Sequence, residues 1–152
     1  MELEGCGPTE VVALTAFLTD ADLTLSGLDA PSVRLWLERD PMGAIVGSAG
    51  YESSADGRHV LIRSVAVSPT RRSRGSGTAL ARFALDRAAD EGATTAWLFS
   101  RRSGPFWRIL DFAPADREEL ALVLADTHQV QLFRQTGQLG REMAWSRPLD
   151  RG

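Results

Sequence analysis

Apolar residues change their spacing several times along the chain, and each spacing predicts an element. Val12, Leu14, Ala16, Phe17 and Leu18 fall on a helical stripe, predicting a helix over 9–19 with Thr9 as its cap after Pro8. Residues 20–31 carry Asp20, Asp22, Ser26, Gly27 and Pro31 and read as loop. Val33-Arg34-Leu35-Trp36-Leu37-Glu38-Arg39 alternates, the period of a strand with one buried face. Asp40-Pro41-Met42-Gly43 is a turn. Ala44 to Glu52 reads as a second strand, in which Gly47 and Gly50 mark a bulge or a close backbone approach. After a turn over Ser53 to Gly57, His59 to Val67 is apolar for most of its length, which predicts a central strand.

The period then changes to 3.6. Leu80, Phe83, Ala84, Arg87 and Ala88 place a helix over 76–91, ended by Gly92. Thr94 to Phe99 is a strand parallel to the third, because a helix crosses between them. Phe106 to Leu110 reads as a short helix. Asp116 caps another through Ala125, with Glu119 at capping-box spacing, and Glu142 to Arg147 is a last strand. A meander, a crossover and then mixed elements predict an α/β (α+β) domain around a mixed sheet.

Composition narrows the function. A chain of 152 residues fits one domain over 1–152. Its net charge of −3 makes no electrostatic case for nucleic acid. No apolar run is long enough to span a bilayer, and the N-terminus lacks a basic segment followed by an apolar one. The expectation is a cytoplasmic protein with no membrane partner. Cys6 is the single cysteine, so neither an internal disulfide nor a cysteine-based metal site is expected. Lysine is absent, which excludes Schiff-base chemistry on a lysine.

The chemistry concentrates in one stretch, Ser64-Val65-Ala66-Val67-Ser68-Pro69-Thr70-Arg71-Arg72-Ser73-Arg74-Gly75-Ser76-Gly77-Thr78. A β-branched run stops at a proline, and an arginine-rich, glycine-lined loop then meets a helix N-terminus. Converging backbone N–H groups and the positive end of a helix dipole suit a phosphate. A P-loop needs a lysine that this chain lacks. A Rossmann loop needs a third glycine where Leu80 stands, and a parallel unit where a meander precedes. What remains is Arg-x-x-Gly-x-Gly after Val-Ala-Val-x-Pro, filled by Arg72, Gly75 and Gly77.

With those motifs, followed by Leu98-Phe99-Ser100 and Phe106-Trp107-Arg108-Ile109-Leu110-Asp111-Phe112, the chain resembles the GCN5-related N-acetyltransferase superfamily over nearly its whole length. The resemblance implies a mostly antiparallel mixed sheet, splayed at its central strands and flanked by helices. It implies acetyl-CoA as donor, no metal, and a small primary amine as acceptor, with a homodimer among the possible assemblies. By the same resemblance Val65, Ala66 and Val67 flank the pantetheine arm. Ser73, Arg74, Gly75, Ser76, Gly77 and Thr78 hold the pyrophosphate, where glycine lets the anion approach without a Cβ in the way. Arg72 and Arg74 add charge-assisted bonds. Arg71 fits that role or a solvated face equally. The Val65 N–H is the implied oxyanion donor.

The family's tyrosine position holds Trp107, its following glycine is replaced by Asp111, and Ser100 stands where asparagine is frequent. Indole is a donor but no acid, so tyrosine general-acid catalysis is not expected here, and Tyr51 is the chain's single tyrosine. The glutamate base of histone-type members falls at Leu61. Glu52 and Arg63 remain as charged candidates. A charge inside an apolar strand is costly unless paired or facing a wet cavity. In one reading Arg63 holds an acidic group of the acceptor, Glu52 receives the ammonium proton and Ser64 assists. In the other, Glu52 and Arg63 pair and tie their strands together.

Within the superfamily, Val46-Gly47, Gly50-Tyr51-Glu52, Leu61 to Val67 and Phe112-Ala113-Pro114-Ala115-Asp116 resemble the arsenic-resistance ArsN2-type acetyltransferases, which implies an arsenical or phosphinic amino acid. The C-terminal Gln135-Thr136-Gly137-Gln138-Leu139-Gly140 departs from that group. Acetylation of a protein amine, and CoA binding without turnover, are the alternatives. His59 at a strand start and His128 after a helix end are read as incidental. Trp36, Phe99, Phe106, Trp107 and Trp145 are expected in the core, with Trp107 also placed to line an acyl tunnel.

Overall fold

A computed structural model describes residues 3–21, 23, 25–69 and 75–149. Seven strands form one sheet: β1 (Glu4–Gly5), β2 (Val33–Arg39), β3 (Ile45–Ser53), β4 (His59–Val67), β5 (Thr95–Phe99), β6 (Ala113–Ala115) and β7 (Ala144–Pro148). Their spatial order is β1-β2-β3-β4-β5-β7-β6. All neighbours are antiparallel except β4 and β5, which are parallel and joined by the crossover helix α2 (Ser76–Asp90). The other helices are α1 (Val11–Asp20), α3 (Gly104–Ile109), α4 (Arg117–Val123) and α5 (His128–Thr136). This is the mostly antiparallel mixed sheet with flanking helices that the sequence predicts.

Both faces of the sheet are covered, which is why β3 and β4 are buried along almost their whole length. On one face Trp36, Tyr51, Ile62 and Leu98 meet Leu80, Ala84 and Ala88 of α2 and Trp107 of α3. On the other, Leu35, Leu37 and Ala66 meet Leu14 and Leu18 of α1, while Leu61 and Trp97 meet Leu120, Val130 and Phe133 of α4 and α5. Strand neighbours therefore point to opposite cores, as the two-residue period requires. Gly50 is a close approach: a Cβ there would run into the Arg34 carbonyl of β2, and one on Gly47 would come within 2.8 Å of Leu80 Cδ1.

Several boundaries differ from expectation. Thr9 does not cap α1. It lies in a 3-10 turn, Pro8–Glu10, and donates its hydroxyl to the Glu10 carboxylate, so the α-helix starts at Val11. Val12 is 83% exposed, because α1 turns Leu14 and Leu18 to the sheet, with Val11 and Phe17 half-buried beside them. Asp116 does cap α4, accepting from the Glu118 N–H at 2.8 Å and the Glu119 N–H at 3.4 Å. Two short strands, β1 and β6, carry too few residues to show a period. Helix α5 also goes unpredicted. Thr127 caps it, and Gly137, at φ 76°, ends it.

Candidate functional site

The site begins with a defect in the sheet. Residues Gly47 and Ser48 of β3 oppose Val67 and Ala66, but Gly50 opposes Arg63, so Ser64 and Val65 together face one residue, Ala49. This bulge puts Ser64 at φ 61°, a conformation that non-glycine residues rarely adopt. Ser48, fully buried, donates its hydroxyl to the Ser64 carbonyl at 2.6 Å. Bulges bend their strand, and here the bend has a partner. Pairing of β4 with β5 stops at Leu61 and Trp97, and beyond that rung the two strands separate.

A cleft of about 560 Å³ opens where they part. Ile62 to Val67 form one wall, and Leu98, Phe99 and Ser100 form the other. Phe106 and Trp107 of α3 lie along it, Gly75, Gly77 and Thr78 close one end, and Ala21, Leu23 and Gln129 also line it. Helix α2 starts there from Gly75, at φ 72°, with no side-chain cap among the described residues. First-turn N–H groups of a helix lack an intrahelical partner, and a helix terminus of this kind suits an anion. A Cβ on Gly77 would come within 3.4 Å of Phe106 and 3.5 Å of Val67, so the passage is narrow at this point. Arg71, Arg72, Ser73 and Arg74 lie outside the described residues. Ser76 occupies the first turn of α2 without lining the cleft.

Arg63 lines the cleft with its guanidinium fully buried. It donates from Nη1 to Glu52 Oε2 at 2.9 Å and from Nε to Ser64 Oγ at 3.3 Å. Burial pushes the guanidinium below its ordinary range, and the Glu52 carboxylate opposes that shift. Glu52 sits behind Arg63 and is fully buried. Its Oε1 accepts from the His128 N–H at 2.6 Å and contacts His128 Nδ1 at 2.9 Å. Its Oε2 also accepts from the Gln129 N–H at 3.2 Å. A carboxylate only accepts, so Nδ1 carries the ring proton. Both oxygens are thus engaged, and Glu52 does not line the cleft. The structure brings Glu52 and Arg63 together as a pair, and the proton-receiving role has no contact with the cavity through Glu52.

His128 does more than follow a helix end. It opens α5, and its ring packs so closely on Gly27, at φ 70°, that a Cβ there would lie 2.5 Å from Cγ. Gln129, next to it, is a cleft residue that sequence reasoning missed. The bracket of Thr127 and Gly137 around Val130 and Phe133 is the signal that could have found it. Tyr51 projects into the core beneath α2 and is no part of the cleft. Trp107 is buried against Phe106 and Phe112, with ring centroids 4.8 and 5.3 Å away. Ser100 accepts the Ser103 N–H through Oγ at 3.0 Å, which fixes the chain entering α3. Asp111 adopts φ 69°, the left-handed geometry for which glycine is the usual residue.

The family model for the acetyltransferase (GNAT) family matches residues 8–112. The chain belongs to the acetyltransferase (GNAT) family. No curated protein matches it. Among solved structures, this GNAT chain is similar to an acetyltransferase of the GNAT family from Staphylococcus aureus Mu50. The identity is 12%, with 98% of this chain and 99% of that one covered, at a TM-score of 0.72. It is also similar to N-acetylglutamate synthase from Neisseria gonorrhoeae complexed with coenzyme A and N-acetyl-glutamate. There the identity is 18% and the TM-score 0.71, over 99% of this chain and 36% of that one. A Mycobacterium tuberculosis protein in complex with CoA is 16% identical over 99% of this chain and 100% of its own, at a TM-score of 0.71. The chain thus spans about a third of the length of the synthase. At these identities the likeness is one of fold, and it includes the GNAT sheet. Among the described residues, no group of three or more metal-ligating side chains occurs, and no helix is long and apolar enough to cross a membrane.

Proposed function

We propose that the chain is an acetyl-CoA-dependent N-acetyltransferase, moving an acetyl group to the primary amine of a small, amino-acid-like acceptor by direct attack. The observation that carries this reading is the separation of β4 from β5 at the Ser64–Val65 bulge, which leaves a narrow cleft running to the start of α2. A CoA molecule has the matching shape, a slender polyamide arm joined to a pyrophosphate. Val65, Ala66 and Val67 flank the arm. The N–H groups from Gly75 to Thr78 receive the pyrophosphate, with Ser73 and the side chains of Arg72 and Arg74 completing that end. Ser100 and Trp107 line the passage toward the thioester. Acetyl-CoA supplies the activated acyl group.

The remaining work falls to the protein. The Val65 N–H donates to the thioester oxygen as it gains charge. Arg63, on the cleft wall with its guanidinium buried against Glu52, is the candidate to meet an anionic group on the acceptor when that group binds, and Ser64 adds a hydrogen bond. With Glu52 saturated and Tyr51 in the core, the amine loses its proton to water, and water protonates the departing thiolate. The resemblance to arsenic-resistance acetyltransferases narrows the acceptor to an arsenical or phosphinic amino acid, whose anion suits an arginine.

The missing tyrosine favours a second reading, a CoA-binding sensor without turnover. Thiol release from acetyl-CoA across a panel of small amines, including phosphinic and arsenical amino acids, separates the two. Release with an anionic small amine supports the proposal. CoA binding with no release across the panel supports the sensor.

A further inference from the structure

We propose that Ser48 is a positioning residue for acyl transfer, aiming the Val65 amide into the cleft. This rests on the reading that the Val65 N–H receives the thioester oxygen. Ser48 lies in β3, fully buried, and does not line the cleft. Its hydroxyl donates to the Ser64 carbonyl at 2.6 Å, across 16 residues of sequence.

That carbonyl and the Val65 N–H belong to one peptide unit. No cis peptide bond occurs among the described residues, and in a planar trans unit the N–H points opposite to the C=O. Ser48 draws the carbonyl toward β3. The N–H is therefore turned away from β3, toward the side where β5 has departed and Val65 lines the cavity. An ordinary β4 would have no need of such a hook, because its ladder would orient each peptide. At the bulge two residues share one partner, and Ser64 sits at φ 61°. A peptide in that position can rotate unless something holds it. The same bond polarises the peptide and strengthens its N–H as a donor.

Three variants and three readouts test this. In ligand-free Ser48→Ala, the largest backbone amide shifts in 15N–1H spectra are expected at Ser64, Val65 and Ala66. Acetyl-CoA should move the Val65 amide proton downfield in the wild type, and less than half as far in Ser48→Ala. Turnover with the best amine should fall about tenfold or more, with the acetyl-CoA Kd changed less than twofold. Ser48→Thr, which keeps the hydroxyl, should restore turnover. Ser48→Cys, a weaker donor, should fall between the two and serves if the alanine variant does not fold. Unshifted amides at 64–66 in Ser48→Ala, or wild-type turnover in folded Ser48→Ala or Ser48→Cys, would overturn the role of Ser48. An equal loss of acetyl-CoA affinity and turnover would also overturn it, reducing Ser48 to a structural residue. A wild-type Val65 amide unmoved by acetyl-CoA would instead overturn the oxyanion reading.

Discussion

Glu52→Ala is the substitution with the largest expected effect on stability. The carboxylate is fully buried and neutralises Arg63, whose guanidinium is also fully buried. It also accepts the backbone N–H groups of His128 and Gln129 at the start of α5. Removing one partner of a buried ion pair costs about 3–5 kcal/mol, because the other charge is left uncompensated. Losing an anion at a helix N-terminus adds about 0.3–1 kcal/mol. The expected loss is therefore about 5 kcal/mol, a large share of the roughly 5–15 kcal/mol that holds an ordinary domain folded. Glu52→Gln keeps the volume and one acceptor oxygen, and should lose about half as much. Urea unfolding followed by tryptophan fluorescence reads both. Adding Arg63→Met closes a double-mutant cycle, and the paired variant should lose at least ~1 kcal/mol less than the sum of the single ones. A Glu52→Ala loss under about 1 kcal/mol with an unchanged urea dependence, or a cycle without coupling, would refute the buried-pair account.

Other outcomes follow from single residues. Gly27→Ala should destabilise by roughly 1–3 kcal/mol in the same unfolding assay, since φ is 70° and the new Cβ meets the His128 ring at 2.5 Å. Asp111→Gly should stabilise by roughly 0.5–1 kcal/mol by relieving φ 69°, and a loss would mean that the Asp111 side chain matters more than its backbone. Gly77→Phe should fill the narrow passage beside Phe106 and Val67 and weaken CoA binding at least about tenfold by calorimetry, with the fold intact. Burial, then Glu10 and Glu4, hold the Cys6 thiol above its ordinary value against the opposing pull of Arg39. Less of it is thiolate at neutral pH, so alkylation should be slower than that of free cysteine and should quicken as pH rises.

The glycine-lined start of α2 was legible because its residues are local. Glycine, arginine and the start of an apolar helix follow one another within a dozen positions of sequence, and the chemistry proposed for them needs no distant partner. Strands β2 to β5 were legible for a similar reason, since a buried face imposes a short period. The buried network of Glu52, Arg63 and His128 was not, because its parts are joined across the fold. Glu52 and His128 are 76 residues apart, and nothing in either neighbourhood says that a carboxylate on β3 secures a helix near the C-terminus. Helix α5 buries Val130 and Phe133 among nine residues, too sparse a stripe to read as a period. Ser48 looks like any small residue in a strand, and its meaning comes from a bulge in the neighbouring strand that an apolar run conceals. Val12 misled for the opposite reason: it is apolar, yet exposure is decided by which face of α1 the sheet covers.

The central claim is that the gap between β4 and β5 is the acetyl-CoA site. A crystal structure of the protein with acetyl-CoA tests it most directly. The expected result is the pantetheine arm along Val65 to Val67, the pyrophosphate at the N–H groups of Gly75 to Thr78, and the thioester oxygen within hydrogen-bond reach of the Val65 N–H. Acetyl-CoA bound elsewhere, or in the cleft with its thioester turned away from Val65, would contradict it.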